Sequence, residues 1–224
     1  MIITIDGPSG TGKSTVARKV AERLGFAFFD TGAMYRAVAL SMRDKQISID
    51  DQKAIEELLD HFVFRILDEK GKKRYYVGDE EVTEKIRTRE VTASVSAVAA
   101  LPIVRKKIWG IQRRFGEGVN AVFEGRDMGS TVFPRAEFKI FLTARSEVRA
   151  ERRLKEFQEK NMLDLGFSRD EMLKEIIARD EADSTRSLSP LKKAEDAIEV
   201  DTSDLTEEEV VDKILSLIKP SQLR

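Results

Sequence analysis

Five short runs of mostly apolar residues punctuate the chain, and helix-spaced apolar positions fill the intervals between them. Ile2–Ile5, Phe26–Phe29, Ala121–Phe123, Phe138–Leu142 and Ala197–Val200 are too short for helices and rich in β-branched or aromatic residues. They predict the buried strands of a parallel sheet. Val16, Ala17, Val20 and Leu24 recur at helical spacing until Gly25 ends that helix. A second helix opens at Asp30-Thr31-Gly32 and runs to about Arg43, and residues 51–60 make a third. Two helical stretches, broken at Pro102, occupy 87–114, and a long charged helix runs from Ser146 to about Lys160. Ser168 with Glu171, and Thr206 with Glu209, read as capping boxes. The last helix carries one apolar stripe through Val210, Val211, Ile214, Leu215 and Ile218. Strands alternating with helices predict an α/β domain with right-handed crossovers.

One region breaks this rhythm. Phe62–Leu67 and Arg74–Val77 flank the charged run Asp68–Lys73, which predicts an antiparallel hairpin. Residues 35–99 are therefore expected to form an inserted, substrate-side subdomain, with 1–34 and 100–224 forming the core. The only histidine, His61, stands between a helix and the hairpin with no partner cluster, and a structural position is expected for it.

Composition narrows the class. The chain has 224 residues, 39 Lys and Arg against 40 Asp and Glu, and no cysteine. That balance argues against a dedicated nucleic-acid binder, and the missing thiols exclude disulfides and thiolate metal sites. No window approaches a membrane span. The first strand begins directly after Met1, which leaves no room for a signal peptide, so a cytoplasmic location is expected.

The chemistry is concentrated at the first strand. Gly7-Pro8-Ser9-Gly10-Thr11-Gly12-Lys13-Ser14 satisfies G-x-x-x-x-G-K-[ST], and Thr15 follows in the helix. Glycines let the backbone fold its N–H groups around phosphate oxygens, and the helix start aims its positive end at the same anion. Lys13 adds a point charge for the β- and γ-phosphates, and the Ser14 hydroxyl is placed to ligate Mg²⁺. The loops after the second and third strands bring Thr31 with Arg36, and Arg126 with Asp127, to the same sheet edge, where ligands bind in parallel α/β sheets. Arg179, Asp183 and Arg186 form a further cluster. So many arginines opposite one phosphate loop suggest a second phosphate group facing ATP, which is what phosphoryl transfer between two anions requires. On the charged helix, Glu151–Lys155 and Glu156–Lys160 read as i,i+4 surface pairs. Arg149 lacks such a partner, and Arg153 has only Glu156.

Along nearly its whole length the sequence resembles bacterial cytidylate kinases of the nucleoside monophosphate kinase superfamily. The resemblance is carried by Ile5–Gly10, Asp30–Arg36, Ile86-Arg87-Thr88, Gly125–Gly129, Val132-Phe133-Pro134 and Arg179-Asp180 through Arg186. It implies a P-loop kinase fold with a five-stranded parallel sheet of order 2-3-1-4-5. It also implies a lid at about 149–167 and a monophosphate-binding insert with a small antiparallel sheet. The implied reaction moves the γ-phosphate of ATP to CMP or dCMP, with Mg²⁺, in a monomer that needs neither nucleic acid nor membrane. By matching position, Ser96, Arg105 and Asp127 read the cytosine edge, and Thr31, Arg179 and Asp183 hold the sugar. Arg36, Arg126 and Arg186 hold the CMP phosphate. Arg149 and Arg153 would meet ATP from the lid, where Arg152 competes for that role. Lys13, Arg126, Arg186 and Arg153 are the implied catalytic groups. Ser130 follows Gly129 where many relatives carry Thr, and Ser14 stands where some carry Gly.

Two other classes use a similar loop. A small-metabolite kinase acting on an alcohol, of shikimate type, would not need the inserted hairpin. A regulatory nucleotide switch would carry an Asn-Lys-x-Asp guanine motif, and none occurs.

Overall fold

The computed structural model describes residues 1–69, 72–159 and 167–218. Residues 70 and 71 of the charged hairpin loop lie outside the described residues, as do Lys160 with its expected pairing to Glu156 and most of the 149–167 lid beyond residue 159. The chain forms two compact units, one of Met1–Asp30 with Gln112–Arg224 and the other of Thr31–Ile111.

The first unit is built on the five apolar runs. Strands β1 (Ile2–Asp6), β2 (Ala27–Asp30), β6 (Ala121–Gly125), β7 (Phe138–Thr143) and β8 (Ile198–Asp201) form one sheet. Its order is β2-β6-β1-β7-β8, all parallel, which is 2-3-1-4-5 when only these strands are counted. Central β1 pairs Ile5 with Glu124 on one side and Ile140 on the other. Buried on both faces, these strands could be nearly continuous in apolar residues. Helix α1 (Lys13–Leu24) lays Val16, Ala17, Val20 and Ala21 into the sheet core. Helix α8 (Glu207–Leu217) adds Val210, Val211 and Ile214, each at most 2% exposed. Burial of side chains of this size is worth about 1.5–3 kcal/mol each, which is what docks the C-terminal helix. Both expected capping boxes form, at Ser168 for α7 (Arg169–Thr185) and at Thr206 for α8.

Helix α6 (Ser146–Glu159) lies against α7 through a separate small core of Ala150, Phe157, Met172 and Ile176. Along α6, Glu151 meets Arg169 of α7 at 2.8 Å, and Glu156 meets Arg153, three residues earlier on α6 itself, at 2.7 Å.

In the second unit, α2 (Thr31–Asp44) follows the sheet edge directly and α3 (Gln52–Asp60) is capped by Asp51. Strands β3 (Phe64–Glu69) and β4 (Lys72–Val77) pair antiparallel as expected, and a short third strand, β5 (Glu80–Glu81), extends the sheet. Two residues of Glu carry no strand pattern, so β5 was not legible in the sequence. His61 is exposed and its Nδ1 lies 3.0 Å from the Glu57 carbonyl, closing α3. Helices α4 (Arg89–Ala100) and α5 (Pro102–Phe115) meet at Pro102, which suits a first helical position because no N–H is needed there.

Candidate active site at the phosphate loop

The turn between β1 and α1 is shaped by what its neighbours leave room for. At Gly7, φ is 147° and a Cβ would stand 2.2 Å from the Leu142 carbonyl oxygen; at Gly10, φ is 80° and a Cβ would stand 2.9 Å from Arg149 Cβ. Both positions combine a backbone conformation that suits glycine with contacts that admit no side chain. The carbonyl of Pro8 accepts from Thr11 Oγ1 at 3.1 Å and from Lys13 Nζ at 2.6 Å, so the lysine crosses the mouth of the loop.

Lys13 is 6% exposed. Burial lowers its pKa well below the ordinary lysine range; Arg126 and Arg179 push it down further, against Glu124 and Asp6. A site that crowds three cations this way, in low dielectric, is poised for an anion.

Sequence reasoning gave no role to the two carboxylates beside it. Glu124, next to last in β6, accepts from Ser14 Oγ at 2.7 Å. Burial and then Asp30 raise its pKa, with Lys13 and Ser14 opposing. Asp6 closes β1 and accepts from the backbone N–H of Met128 at 2.9 Å and Gly129 at 2.8 Å. Burial raises it to about 6, despite the Gly129 and Met128 hydrogen bonds. The available signal was an acidic residue ending an apolar core strand, where no solvated face explains it. The turn that Asp6 holds, Met128–Val132, is a single π-turn, a form that concentrates at functional sites.

Helix α7 supplies the rest. Asp183 accepts from Arg126 Nε at 2.9 Å and lies 3.6 Å from Arg186. Burial pushes Asp183 up, but Arg126, Arg179 and Arg186 together hold it below the usual carboxylate range. One turn earlier, Asp180 accepts from Arg149 NH1 at 2.5 Å. Arg149 also donates to the Ser9 carbonyl at 3.1 Å and to the Ala144 carbonyl at 3.0 Å, so it braces the loop from behind. Arg152 donates to the carbonyl and hydroxyl of Thr202, whose hydroxyl reaches the Thr11 carbonyl at 3.3 Å. Arg153 pairs with Glu156 and stacks 4.3 Å from the Phe157 ring. Asp127 is 2% exposed, accepts from Ser189 Oγ at 2.7 Å, and lies 4.0 Å from Arg186.

The remaining expected residues belong to the second unit. Thr31 is buried at the start of α2. Arg36 donates to Thr92 Oγ1 at 2.7 Å. Ser96 is half-buried on α4. Arg105, 1% exposed, donates to the Ala99 carbonyl at 3.0 Å, its guanidinium 5.3 Å from the Tyr35 ring and 5.6 Å from the Trp109 ring.

A five-stranded parallel sheet with this loop after its central strand, a buried lysine and a ring of arginines defines a P-loop kinase. Among solved structures, the fold is similar to shikimate kinase from Bacteroides thetaiotaomicron, with a TM-score of 0.51 and 13% identity over 97% of each chain. The sequence places it more narrowly: residues 3–220 match the cytidylate kinase family model, and the chain belongs to that family. The cytidylate kinase of Protochlamydia amoebophila is 53% identical over 96% of this chain and 95% of its own length. That of Halalkalibacterium halodurans is 47% identical over 98% and 97%. Among the described residues, no helix is long and apolar enough to cross a membrane.

Proposed function

We propose that this chain transfers the γ-phosphate of ATP to CMP or dCMP, giving ADP with CDP or dCDP, in pyrimidine nucleotide metabolism. The observation that carries the reading is the gathering of Lys13, Arg126 and Arg179 around the phosphate loop, where burial first and then the neighbouring cations lower the lysine's pKa. Bound phosphates would relieve that repulsion, and a phosphoryl group in flight carries its charge on the oxygens such cations face.

In this reading the backbone from Gly7 to Thr15 cradles the ATP phosphates and Lys13 swings from the Pro8 carbonyl to the β- and γ-oxygens. Arg126 and Arg186 hold the acceptor phosphate and, with Lys13 and Arg153, neutralise charge in the transition state. The acceptor is already an anion, so no side-chain base is required. In the second unit, Arg36 is assigned to the acceptor phosphate, Thr31 to the sugar, and Ser96 with Arg105 to the base. Arg179 and Asp183 serve the sugar and Asp127 the cytosine amino group. The insert expected over 35–99, which falls within the unit Thr31–Ile111, is read as the monophosphate-binding part, with α6 the start of a lid whose Arg149 supports ATP through the loop.

The donors at the loop fit Mg²⁺: one hydroxyl (Ser14) and one carboxylate (Glu124), both hard oxygen ligands, joined by hydrogen bonding at 2.7 Å. Bound there with phosphate oxygens, the ion would supply charge neutralisation between the β- and γ-phosphates. Ser14 and Glu124 would hold it directly or through water. We place the protein in the cytoplasm as a monomer, acting on small nucleotides rather than on nucleic acid or membrane.

The deciding experiment measures ADP release from ATP with CMP, dCMP, UMP, AMP or shikimate as acceptor. Turnover with CMP and dCMP well above the others is expected. Turnover with shikimate alone, or ATP hydrolysis indifferent to acceptor, would overturn the reading.

A further inference from the structure

The loop after α7 holds a residue that the reading above does not use. Ser189 has φ 53° and is followed by Pro190. A non-glycine residue is disfavoured in the left-handed region, and a following proline pushes its predecessor toward extended backbone. Such a conformation persists where surrounding contacts over-determine it.

Three contacts do so here, and each leads to the site. The Ser189 carbonyl accepts from Arg186 Nε at 2.6 Å. Its Oγ lies 2.7 Å from Asp127 Oδ2 and 2.7 Å from Thr131 Oγ1. A hydroxyl has one hydrogen, and a carboxylate can only accept. Ser189 therefore donates to Asp127, which obliges Thr131 to donate to Ser189. The result is a directed chain, Thr131 to Ser189 to Asp127, ending on a carboxylate that is 2% exposed. A charge-assisted bond in such a place fixes orientation strongly.

We infer that Ser189 is a positioning residue for substrate choice, fixing the rotation of the Asp127 carboxylate through its hydroxyl and the guanidinium of Arg186 through its carbonyl. This rests on the assignment of Asp127 to the cytosine amino group and of Arg186 to the acceptor phosphate. One residue then keeps the reader of the base and the holder of the phosphate in register, without touching the nucleotide itself. The loop has its own anchor, since Leu191 N–H donates to the Asp183 carbonyl at 2.8 Å. Loss of the hydroxyl therefore leaves the loop tied to α7.

The test compares Ser189→Ala, Ser189→Gly and Asp127→Ala in the full chain, with steady-state kinetics on CMP, UMP and ATP. Ser189→Ala removes the hydroxyl and keeps the backbone strain; Ser189→Gly removes both. Each Ser189 variant is expected to raise KM for CMP about 10-fold and narrow the CMP-to-UMP ratio in kcat/KM, with KM for ATP held within about twofold. Equal losses in the two identify the hydroxyl. If Ser189→Gly behaves as wild type, or if both variants weaken ATP and CMP alike, the role is structural and the inference is overturned. If Asp127→Ala narrows the ratio while neither Ser189 variant does, this inference falls and the Asp127 assignment stands. If Asp127→Ala leaves the ratio intact, that assignment falls and this inference with it.

Discussion

Ser14 on α1 donates its hydroxyl hydrogen to Glu124, next to last in β6, across 2.7 Å and 110 residues of sequence. Two neighbouring parallel-sheet connections thus place a hydroxyl and a carboxylate side by side at the phosphate loop. Glu124→Gln keeps the shape and removes the charge. It should lower kcat on the order of 10²-fold and move the Mg²⁺ dependence to higher concentration, as expected for loss of an electrostatic group facing a cation. Titration of activity against free Mg²⁺ checks this. An unchanged midpoint would remove Glu124 from the ion's surroundings.

Lys13 is held among cations at a cost. Its pKa is lowered in the fold, so its contribution to stability is present above the ordinary lysine pKa and lost as pH falls through the lowered value. At neutral pH Lys13→Met should therefore leave the melting temperature of the ligand-free protein equal or higher. Phosphoryl transfer should fall at least ~10²-fold. Calorimetry and ADP release on one preparation separate the two effects, and near-normal turnover in the folded variant would remove Lys13 from the mechanism.

Asp6 gives a pH signature of its own. Its pKa is raised from 3.8 to about 6, so the folded state binds the proton more tightly than the unfolded state. Its contribution is fully present below pH 3.8 and is lost as pH rises through about 6. The loss amounts to roughly 3 kcal/mol at 1.36 kcal/mol per pH unit. Asp6→Asn should remove that downward component, although it weakens the turn by replacing one of the two carboxylate acceptors with an amide NH2 that faces an N–H. Denaturant titrations of both proteins from pH 4 to 7 give the difference; parallel curves would contradict the assignment.

Gly7→Ala and Gly10→Ala test the loop's packing. The added methyl would meet the Leu142 carbonyl at 2.2 Å in the first case and the Arg149 backbone oxygen at 2.9 Å in the second. Backbone atoms cannot yield as a flexible side chain can. Gly7→Ala should destabilise by about 3 kcal/mol or more, and Gly10→Ala by about 1–3. Thermal denaturation ranks them, and an order reversed from the contact distances would show that the loop relaxes elsewhere.

The asymmetric pairing of α6 shows where reading residues along a helix stops. Local spacing assigned Glu151 to Lys155, yet α7 offers Arg169 to the same carboxylate at 2.8 Å. Arg149 looked uncommitted because no acid stands three or four positions away. Its charged partner, Asp180, lies 31 residues on, and the Ser9 carbonyl that it also meets lies 140 residues back.

Sequence alone determined the elements whose causes are local. The five apolar runs, the caps at Ser168 and Thr206, the break at Pro102 and the phosphate loop are each written within a few residues of one another. Burial period, cap chemistry and backbone freedom act over that range. Tertiary structure decided what depends on parallel strand order. Only the register of β1 beside β6 brings Ser14 to Glu124 and Asp6 to the Met128–Val132 turn. Only the return of the chain after α7 brings Ser189 to Asp127. Long-range hydrogen bonds are selected by geometry that no single segment encodes, which is why the carboxylates and the serine emerged only from the fold.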